Sequence, residues 1–353
     1  MADRHIIEET TLIKSSMNIK VSFAVAIYNV AAYVEECVRS LFEQTLDEIE
    51  VILVDDCSTD GSLDIIMRVL KDYPNREPNV KVIRHERNEG ISAGRKDGIL
   101  SANGEYVIII DGDDFVEPNM AELLYNKAKE TEADITICDY YYFYQGKDYS
   151  TSMIPSGIED NGEKAREDIM NRRLYTYLWC KIIRRSLFVE NDIVWPIKNL
   201  GEDTVLSAET AFFAKRISHL KMPLYHYRYN PTSVTKLLDE EHCLKNLDSF
   251  KSNVDILTGF LKREGVDEQY GRGIFINKMR TKNRLLPILK QRKYVRLWFH
   301  TYPEINKVIL FGNKHYKSTY REKVWFFAIL FGLYPKYKKR LHSKRFFPCP
   351  EWV

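Results

Sequence analysis

The sequence predicts an α/β protein with a mostly parallel, doubly wound sheet, followed by a helical and basic C-terminal region. Two observations predict this class. Short apolar runs alternate with amphipathic stretches from about residue 20 to residue 138, and the pattern becomes mainly helical after residue 240. Strands separated by single helices form βαβ units, and such units build parallel sheets.

Each predicted element follows from its own residues. Short apolar runs predict five strands, at 21–27, 50–54, 80–83, 106–110 and 135–138. Apolar residues at helical spacing predict the helices between them, at 31–43, 62–71, 92–101 and about 118–131. From about 140 to 235 the pattern is mixed, and one helix is expected there at 163–173.

The chain is expected to fall into three parts. Residues 1–18 are predicted to be an N-terminal extension that is disordered or loosely held, since no apolar segment organises them. The α/β domain is expected at 19–238, with a first half to about 138 and a second half from about 139. Residues 239–353 then form the helical, basic region.

Charge is distributed unevenly along the chain. Residues 271–353 contain 20 Lys and Arg against three acids, whereas the first 270 residues contain 32 Lys and Arg against 47 Asp and Glu. A basic tail on an acidic body indicates contact with an anionic surface, such as lipid headgroups, nucleic acid or a protein partner. No recognised nucleic-acid motif accompanies the charge, so no specific nucleic-acid partner is expected.

The cysteines and the N-terminus indicate the cellular compartment. Six cysteines are scattered without a CxxC motif, which favours a reducing compartment over a disulfide framework or a structural zinc site. The N-terminus has neither the apolar core of a signal peptide nor that of a membrane anchor. We therefore expect a cytoplasmic protein.

Polar residues follow three of the predicted strands at the point where each strand ends. Tyr28-Asn29 follows the first strand, Asp55-Asp56 the second, and Asp111 to Asp114 the fourth. Ligands bind at the C-terminal ends of the strands in such sheets. These residues are therefore predicted to converge on one cleft.

The segment Asp111-Gly112-Asp113-Asp114 places three carboxylates within four residues. Because like charges repel, a divalent cation is one explanation, and Mg²⁺ or Mn²⁺ prefers such oxygen ligands. The other explanation is a solvated acidic loop that caps the next helix.

Three further groups have both a functional and a structural interpretation. Asp55-Asp56 can accept hydrogen bonds from a base or ribose; the structural alternative for this segment is a helix cap at Ser58 or Asp60, which does not explain why two acids end an apolar strand. Arg95 can offset the carboxylates, contact a diphosphate, or form a surface ion pair. The acids of Glu202-Asp203 can supply a general base, or simply start a helix.

These segments together resemble the inverting glycosyltransferases of family 2, which have the GT-A fold and include enzymes of bacterial cell-surface polysaccharide assembly. The resemblance covers residues 21–236. It rests on AIYN, VDDCSTDGS, NEGISAGRKDG, DGDD, WCKIIRRS, GED and YHYRYNPTSVT, taken in this order and spacing. The chain departs from the family where Cys57 precedes Ser58 and where Lys96 follows Arg95.

The resemblance implies how a nucleotide-sugar donor, most commonly a UDP-sugar, would bind. Tyr28 and Asn29 would hold the nucleotide base. Asp55 or Asp56 would accept a hydrogen bond from the base or ribose, and Arg95 would lie near the nucleotide.

The resemblance also implies a metal site and a general base. Asp113 would be the main ligand of Mn²⁺ or Mg²⁺ bridging the donor diphosphate, with Asp111 between the ribose and the metal. Asp203, supported by Glu202, would deprotonate the acceptor hydroxyl. His226 would be either a further metal ligand or a structural histidine.

The C-terminal tail has two interpretations. Residues 324–334 are apolar, and four basic residues follow by position 340. The apolar run is too short to span a bilayer, which takes about 20 residues. The segment 324–345 is therefore either a core helix with a basic end or an interfacial helix on the inner face of the cytoplasmic membrane, suited to a lipid-linked saccharide acceptor.

Two other functions fit parts of the pattern. A nucleotidyltransferase acting on sugar phosphates also has an α/β sheet and acidic metal sites, but the first strand is followed by Ile27-Tyr28-Asn29-Val30-Ala31 instead of a Gly-rich, basic phosphate loop. A catalytically silent protein that binds nucleotide-sugars is the other alternative.

Overall fold

A ten-stranded sheet with flanking helices precedes a helical region in a computed structural model, which describes residues 6–11, 18–153, 162–230 and 237–333. The strands are β1 (Ile6–Thr11), β2 (Val21–Ile27), β3 (Ile49–Asp55), β4 (Val80–His85), β5 (Tyr106–Asp111), β6 (Phe115–Val116), β7 (Ile135–Tyr144), β8 (Lys147–Thr151), β9 (Lys181–Arg184) and β10 (Ile217–Arg228). Their order is β1-β4-β3-β2-β5-β9-β7-β10-β6, with β8 paired to β7. Within the described residues β2, β3, β4, β5, β7 and β10 share one direction, so the sheet is mostly parallel, as predicted.

The helices of the first part flank this sheet. They are α1 (Val34–Phe42), α2 (Ser62–Leu70), α3 (Ile91–Leu100), α4 (Met120–Glu130), α5 (Gly162–Met170), α6 (Ser186–Val189) and α7 (Glu202–Phe213). The five strands and four helices predicted between residues 20 and 138 are confirmed, with bounds that differ by at most three residues. The exception is the end of β7, which continues six residues beyond the predicted strand.

The N-terminal prediction was wrong for residues 6–11. These residues form β1, which pairs antiparallel with β4 and places Thr10 opposite Val82. An edge strand is held by main-chain hydrogen bonds, so it needs no apolar alternation that the sequence could reveal. The rest of the predicted extension up to residue 17 lies outside the described residues.

Two strands in the mixed region complete the sheet. The short β9 lies antiparallel between β5 and β7, and β10 lies parallel to β7 on the other side. Because β9 runs antiparallel to the first half of β5, it ends beside Tyr106 at the start of β5. The chain then passes through α6 and leads back to the end of β5, where α7 begins.

The last part of the described chain is helical, as predicted. It contains α8 (Glu240–Arg263), α9 (Gly271–Asn283), α10 (Arg292–His300), α11 (Pro303–Phe311) and α12 (Tyr320–Leu330). These helices enclose their own apolar core, and a separate cluster joins α7 to α8 through residues such as Val205 and Phe260. In the part of the chain that is described, no helix is long and apolar enough to cross a membrane.

Candidate active site

Three loops meet at one edge of the sheet, where β2, β3 and β5 end. In the parallel register Ile27 lies opposite Asp55, and Ala26 lies opposite Asp111. The polar residues after these strand ends are therefore neighbours, and the predicted convergence of the loops is confirmed.

The loop after β2 is tied to the loop after β3. Asn29 has a positive φ of 50°, and its Oδ1 accepts a hydrogen bond from the Thr59 backbone N–H at 2.9 Å. The Asn29 backbone N–H donates to Ser58 Oγ at 3.1 Å. Asn29 thus joins the two loops, while the adjacent Tyr28 ring is 48% exposed.

Asp56 is hydrogen-bonded to a third loop, the one between β4 and α3. Its buried carboxylate accepts hydrogen bonds from the backbone N–H groups of Glu89 and Gly90, each at 2.7 Å, and lies 2.8 Å from His85 Nδ1. Although burial opposes the change, these contacts lower the pKa of Asp56. Asp56 is therefore an ionised anchor for this loop.

Asp55 is bound less completely than Asp56. Its Oδ1 accepts a hydrogen bond from the Ser58 backbone N–H at 3.1 Å. Its Oδ2 is buried and accepts no hydrogen bond from any described residue, although Arg84 Nε lies 3.4 Å away. Buried acceptors normally have donors, so Asp55 retains a capacity for hydrogen bonding that Asp56 lacks.

Arg95 lies at the centre of the candidate site. Its guanidinium is 3% exposed and contacts three carboxylates, with Nη2 donating to Asp111 Oδ1 at 2.6 Å and Nη1 donating to Glu202 and Asp203. Of the roles left open by the sequence, the structure shows that Arg95 offsets carboxylates. It also brings the end of β5 and the start of α7 together.

Two glycines allow α3 to carry this arginine into the protein. A Cβ added at Gly98 would lie 3.1 Å from the Ala24 Cβ, and one added at Gly94 would lie 3.6 Å from the Ala26 Cβ. The helix therefore packs directly on β2. This close packing places the Arg95 side chain beside β5, the neighbour of β2.

The acids at the start of α7 hold their protons more strongly than exposed carboxylates do. Burial, together with the nearby Asp203 carboxylate, raises the pKa of Glu202. Burial also raises the pKa of Asp203, and Arg95 opposes that increase. A carboxylate with a raised pKa is a stronger proton acceptor than an exposed one.

The start of α7 is held by α8, a helix of the C-terminal region. Asn253 Nδ2 donates to the carbonyl oxygens of Lys198 and Leu200, at 3.0 and 2.9 Å. Gly201 follows with a φ of 88°, and a Cβ there would lie 2.8 Å from the Phe250 ring. Glycine is needed at this position for both reasons.

Asp114 shapes the acidic loop, and protein groups bind both of its carboxylate oxygens. It is buried, and its carboxylate accepts hydrogen bonds from the Tyr225 hydroxyl and the Arg228 backbone N–H, each at 2.7 Å. The loop after β5 is thereby fastened to β10. The remaining carboxylates of the loop are those of Asp111 and Asp113.

Asp111 and Asp113 could contribute two oxygen ligands to a divalent cation. Asp113 Oδ2 accepts a hydrogen bond from Asn230 Nδ2 at 3.0 Å, and Asp111 Oδ1 is bonded to Arg95. Each carboxylate keeps a second oxygen that accepts no hydrogen bond from another described residue. Burial and the Asp111 charge raise the pKa of Asp113, and a cation bound between the two acids would favour its ionised form.

The protein alone does not complete a metal site in the described residues, where no group of three or more His, Cys, Asp and Glu side chains could hold an ion. Mg²⁺ and Mn²⁺ commonly take one or two carboxylates and complete their coordination with substrate phosphates and water. The donor set of Asp111 and Asp113 fits that type of site.

His226 is a structural residue. Its ring nitrogens lie 2.9 Å from Glu117 Oε1 and 2.9 Å from Asp148 Oδ1, and its ring stacks between Phe115 and Tyr141. Of the two interpretations given by the sequence, the contacts match the second.

Two buried cations lie near the site, and one of them, His85, had no clear sequence signal. His85 links Asp56 to Asp97, and these two hydrogen-bonded carboxylates raise its pKa to about 9. Lys181 donates to Ser207 Oγ of α7 at 2.6 Å, and burial lowers its pKa to about 8. Only the return of β4 and β9 to the sheet reveals these neighbours.

Comparisons with known proteins show which class this sheet, its acidic loop after β5 and the acid pair at the start of α7 belong to. The model of "Glycosyl transferase family 2" matches residues 22–190. EpsH of Bacillus subtilis (strain 168), which is named as a glycosyltransferase, is 31% identical over 255 residues, which are 71% of this chain and 71% of EpsH. The chain therefore belongs to glycosyltransferase family 2.

Solved structures share the fold over nearly the whole chain. TarS residues 1–349 of S. aureus in complex with UDP have a TM-score of 0.54 at 20% identity, over 93% of each chain. The mannosyltransferase PcManGT of Pyrobaculum calidifontis, in complex with GDP-Man and Mn²⁺, has a TM-score of 0.51 at 14% identity, over 94% of this chain and 92% of PcManGT. These similarities confirm the predicted GT-A fold with its helical C-terminal region.

Proposed function

We propose that this protein transfers a sugar from a nucleotide-sugar, with UDP-sugars as the first candidates, to an acceptor hydroxyl with inversion at the anomeric carbon. The Arg95 contacts carry the proposal. One guanidinium holds Asp111, at the end of β5, together with Asp203, at the start of α7. A donor bound at the strand ends and an acceptor approached by Asp203 would therefore meet at one place.

The donor would bind at the ends of β2, β3 and β5. The exposed Tyr28 ring would stack on the base, and the Asp55 Oδ2 atom would accept a hydrogen bond from the base or ribose. Asn29 and Asp56 would act indirectly, because their side chains hold the surrounding loops. The UDP bound to TarS and the GDP-Man bound to PcManGT support a nucleotide-sugar donor in this fold.

Asp113, with Asp111, would hold Mn²⁺ or Mg²⁺ at the donor diphosphate. When bound, the cation would offset the charge that develops on the leaving nucleoside diphosphate. The Mn²⁺ in PcManGT supports this assignment.

Asp203 would be the general base. As the acceptor oxygen forms its bond to the anomeric carbon, the hydroxyl proton would pass to the Asp203 carboxylate, and the bond from the anomeric carbon to the diphosphate oxygen would break. Arg95 would hold Asp203 in place, and Glu202 would share the same guanidinium. A single displacement from the face opposite the leaving group inverts the anomeric configuration.

A donor screen tests the proposal by measuring released nucleoside diphosphate with Mn²⁺ or Mg²⁺ present. Asp113→Asn and Asp203→Asn should each abolish transfer, and only Asp113→Asn should also weaken metal-dependent nucleotide binding. Unchanged transfer in both variants would refute the mechanism. Nucleotide binding without turnover on any acceptor would favour a silent binding protein, and pyrophosphate release from a nucleoside triphosphate with a sugar phosphate would favour a nucleotidyltransferase.

We also propose that α12 rests on the inner face of the cytoplasmic membrane, where a lipid-linked saccharide acceptor would be presented. One face of α12 packs Phe326 and Ile329 into the C-terminal core. On the other side Phe327, Leu330 and Phe331 are 46%, 47% and 69% exposed. The basic residues of the predicted segment beyond position 333 lie outside the described residues.

Flotation with anionic vesicles tests this membrane contact. Replacing Phe327, Leu330 and Phe331 with Ser should reduce the bound fraction, since each buried apolar side chain contributes about 1.5–3 kcal/mol. Phe311→Ser, at a ring that is 83% exposed on α11, is the matched control. Equal recovery of the triple variant and the wild type with the vesicles would refute the proposal.

A further inference from the structure

Arg280 and Arg284 form a pair of guanidinium groups that have no acidic partner among the described residues. They lie four residues apart at the end of α9, so their side chains share a helix face. Both are partly buried, and neither makes an ion pair or a hydrogen bond with another described residue. The Arg284 Nε atom is fully buried and has no hydrogen-bond partner among the described residues.

The two lysines of α9 show how unusual this pair is. Lys278 Nζ lies 2.6 Å from Glu304 Oε1, and Lys282 Nζ donates to the carbonyl oxygens of Trp298 and Thr301, each at 2.6 Å. Arginine is rarely buried unless it is paired. Burial and the neighbouring Arg280 charge lower the pKa of Arg284 to about 10. The pair is therefore unfavourable without an anion.

Arg284 of this pair lies one aromatic ring away from the start of α7. The Arg284 Cζ atom is 3.8 Å from the centroid of the Phe250 ring, and the same ring packs against Gly201. Gly201 directly precedes Glu202 and Asp203. Arg284, at the end of α9, is thus linked through Phe250 of α8 to the residue before the acid pair, whereas Asp111 is linked to that pair through Arg95 of α3.

We propose that Arg280 and Arg284 bind a phosphate group carried by the acceptor. The inference rests on the proposed transferase function, because it assigns the acceptor side of that same site. Two guanidinium groups on one face can bind the oxygens of a phosphate by several charge-assisted hydrogen bonds. The contacts through Phe250 and Gly201 place this phosphate on the α7 side of the site, next to the residues that precede Asp203. Polyol phosphates and lipid diphosphates both carry the required group.

Arginine-specific labelling of the full chain tests the ligand class without requiring turnover. The protein is modified with phenylglyoxal in the presence of inorganic phosphate, glycerol phosphate, farnesyl diphosphate, or UDP with Mn²⁺. Mass spectrometry then measures the extent of modification at each arginine. Inorganic phosphate should protect Arg280 and Arg284 but not the exposed Arg292 and Arg296. Stronger protection by glycerol phosphate indicates a polyol phosphate, and stronger protection by farnesyl diphosphate indicates a lipid diphosphate. Protection by UDP with Mn²⁺ alone, or by none of the probes, overturns the proposal.

Charge-matched variants test the role in transfer. The double variant Arg280→Gln/Arg284→Gln should raise the KM for a phosphate-bearing acceptor by about tenfold to hundredfold for each lost charged hydrogen bond, with a much smaller effect on kcat. The same acceptor without its phosphate should show no such change, and Arg292→Gln/Arg296→Gln is the control for net charge.

Stability separates binding from a structural role. Because the two charges are unpaired, their removal should leave the thermal midpoint unchanged or raise it. A lower midpoint together with equal losses on both acceptors would show a structural role and refute the proposal. Failure of the transferase proposal itself would instead appear as no nucleoside diphosphate release with any donor, and the labelling result would still stand.

Discussion

His85 should stabilise the loops around the candidate site only while its ring is protonated. The ring is 2% exposed, with Nδ1 2.8 Å from Asp56 Oδ1 and Nε2 3.2 Å from Asp97 Oδ2. The two carboxylates raise the pKa of His85 to about 9. The perturbation that tests this is an increase of pH from about 6 to 10, compared between the wild type and His85→Gln.

The expected loss of stability follows from the difference between the folded and unfolded pKa of His85. An unfolded histidine has a pKa of about 6.5, and a tenfold change in proton affinity corresponds to about 1.4 kcal/mol, which gives about 3 kcal/mol in the free energy of unfolding. Since the folded pKa is raised, this contribution is fully present below about pH 6.5 and is lost as the pH rises through about 9. The lowered pKa of Asp56 reflects the same contact. The contribution of Asp56 to the free energy of unfolding is therefore lost at acid pH, as the pH falls below about 4.

Urea unfolding followed by tryptophan fluorescence measures the effect. The difference in unfolding free energy between wild type and His85→Gln should shrink by up to about 3 kcal/mol from pH 6 to pH 10. Lysine, tyrosine and cysteine groups titrate in both proteins and largely cancel in the difference. The exposed His300→Gln variant is the control and should follow the wild type at every pH. A difference that stays constant across this range would refute the reasoning.

Three further predictions concern the site. Asp56→Asn should lower the free energy of unfolding by about 3–5 kcal/mol because it breaks a buried ion pair, whereas Asp55→Asn should mainly weaken nucleotide binding; chemical unfolding and nucleotide titration distinguish the two. Gly201→Ala should reduce kcat while nucleotide binding persists, because a Cβ would displace Phe250; an unchanged kcat would contradict this. Lys181→Met should move the acid limb of the kcat profile to higher pH, since Lys181 lowers the pKa of Asp203; a shift to lower pH would contradict it.

The sequence predicts the first half of the fold well because its strands are continuous apolar runs. Runs such as Val21–Ile27 are buried on both faces, so their boundaries coincide with the first polar residues. Those polar residues are also the ones that reach the cleft. The positions of the ligand-facing loops therefore follow from the same pattern that predicts the strands.

The partners of these residues depend on long-range contacts that no local pattern contains. Arg95 meets Asp203 across 108 residues, and it does so only because α7 begins beside the end of β5. The sequence does not distinguish Asp55 from Asp56. Only the hydrogen bond from the Gly90 backbone N–H to Asp56 shows that Asp56 anchors a loop, whereas Asp55 keeps an oxygen available to a ligand. The sequence could not predict that Arg280 and Arg284 lack acidic partners among the described residues, for the same reason.

The direction of the pKa shift distinguishes acids that build the site from acids that are available for its chemistry. Hydrogen bonds lower the pKa of Asp56 and of Asp60, two acids that fasten loops and stabilise the fold. Burial raises the pKa of Asp113, Glu202 and Asp203, so ionising these acids near neutral pH costs stability instead of adding it.

A protein tolerates this loss of stability at positions where a ligand or a reaction uses the charge of the acid. Asp114 shows why the pKa direction alone is insufficient, because burial and the charges of its two neighbours raise its pKa although both of its oxygens are hydrogen-bonded to β10. A raised pKa therefore indicates an acid available to a ligand only where an oxygen also lacks a protein donor. Asp113 meets both conditions, and this combination makes it the first carboxylate to test for nucleotide-dependent metal binding.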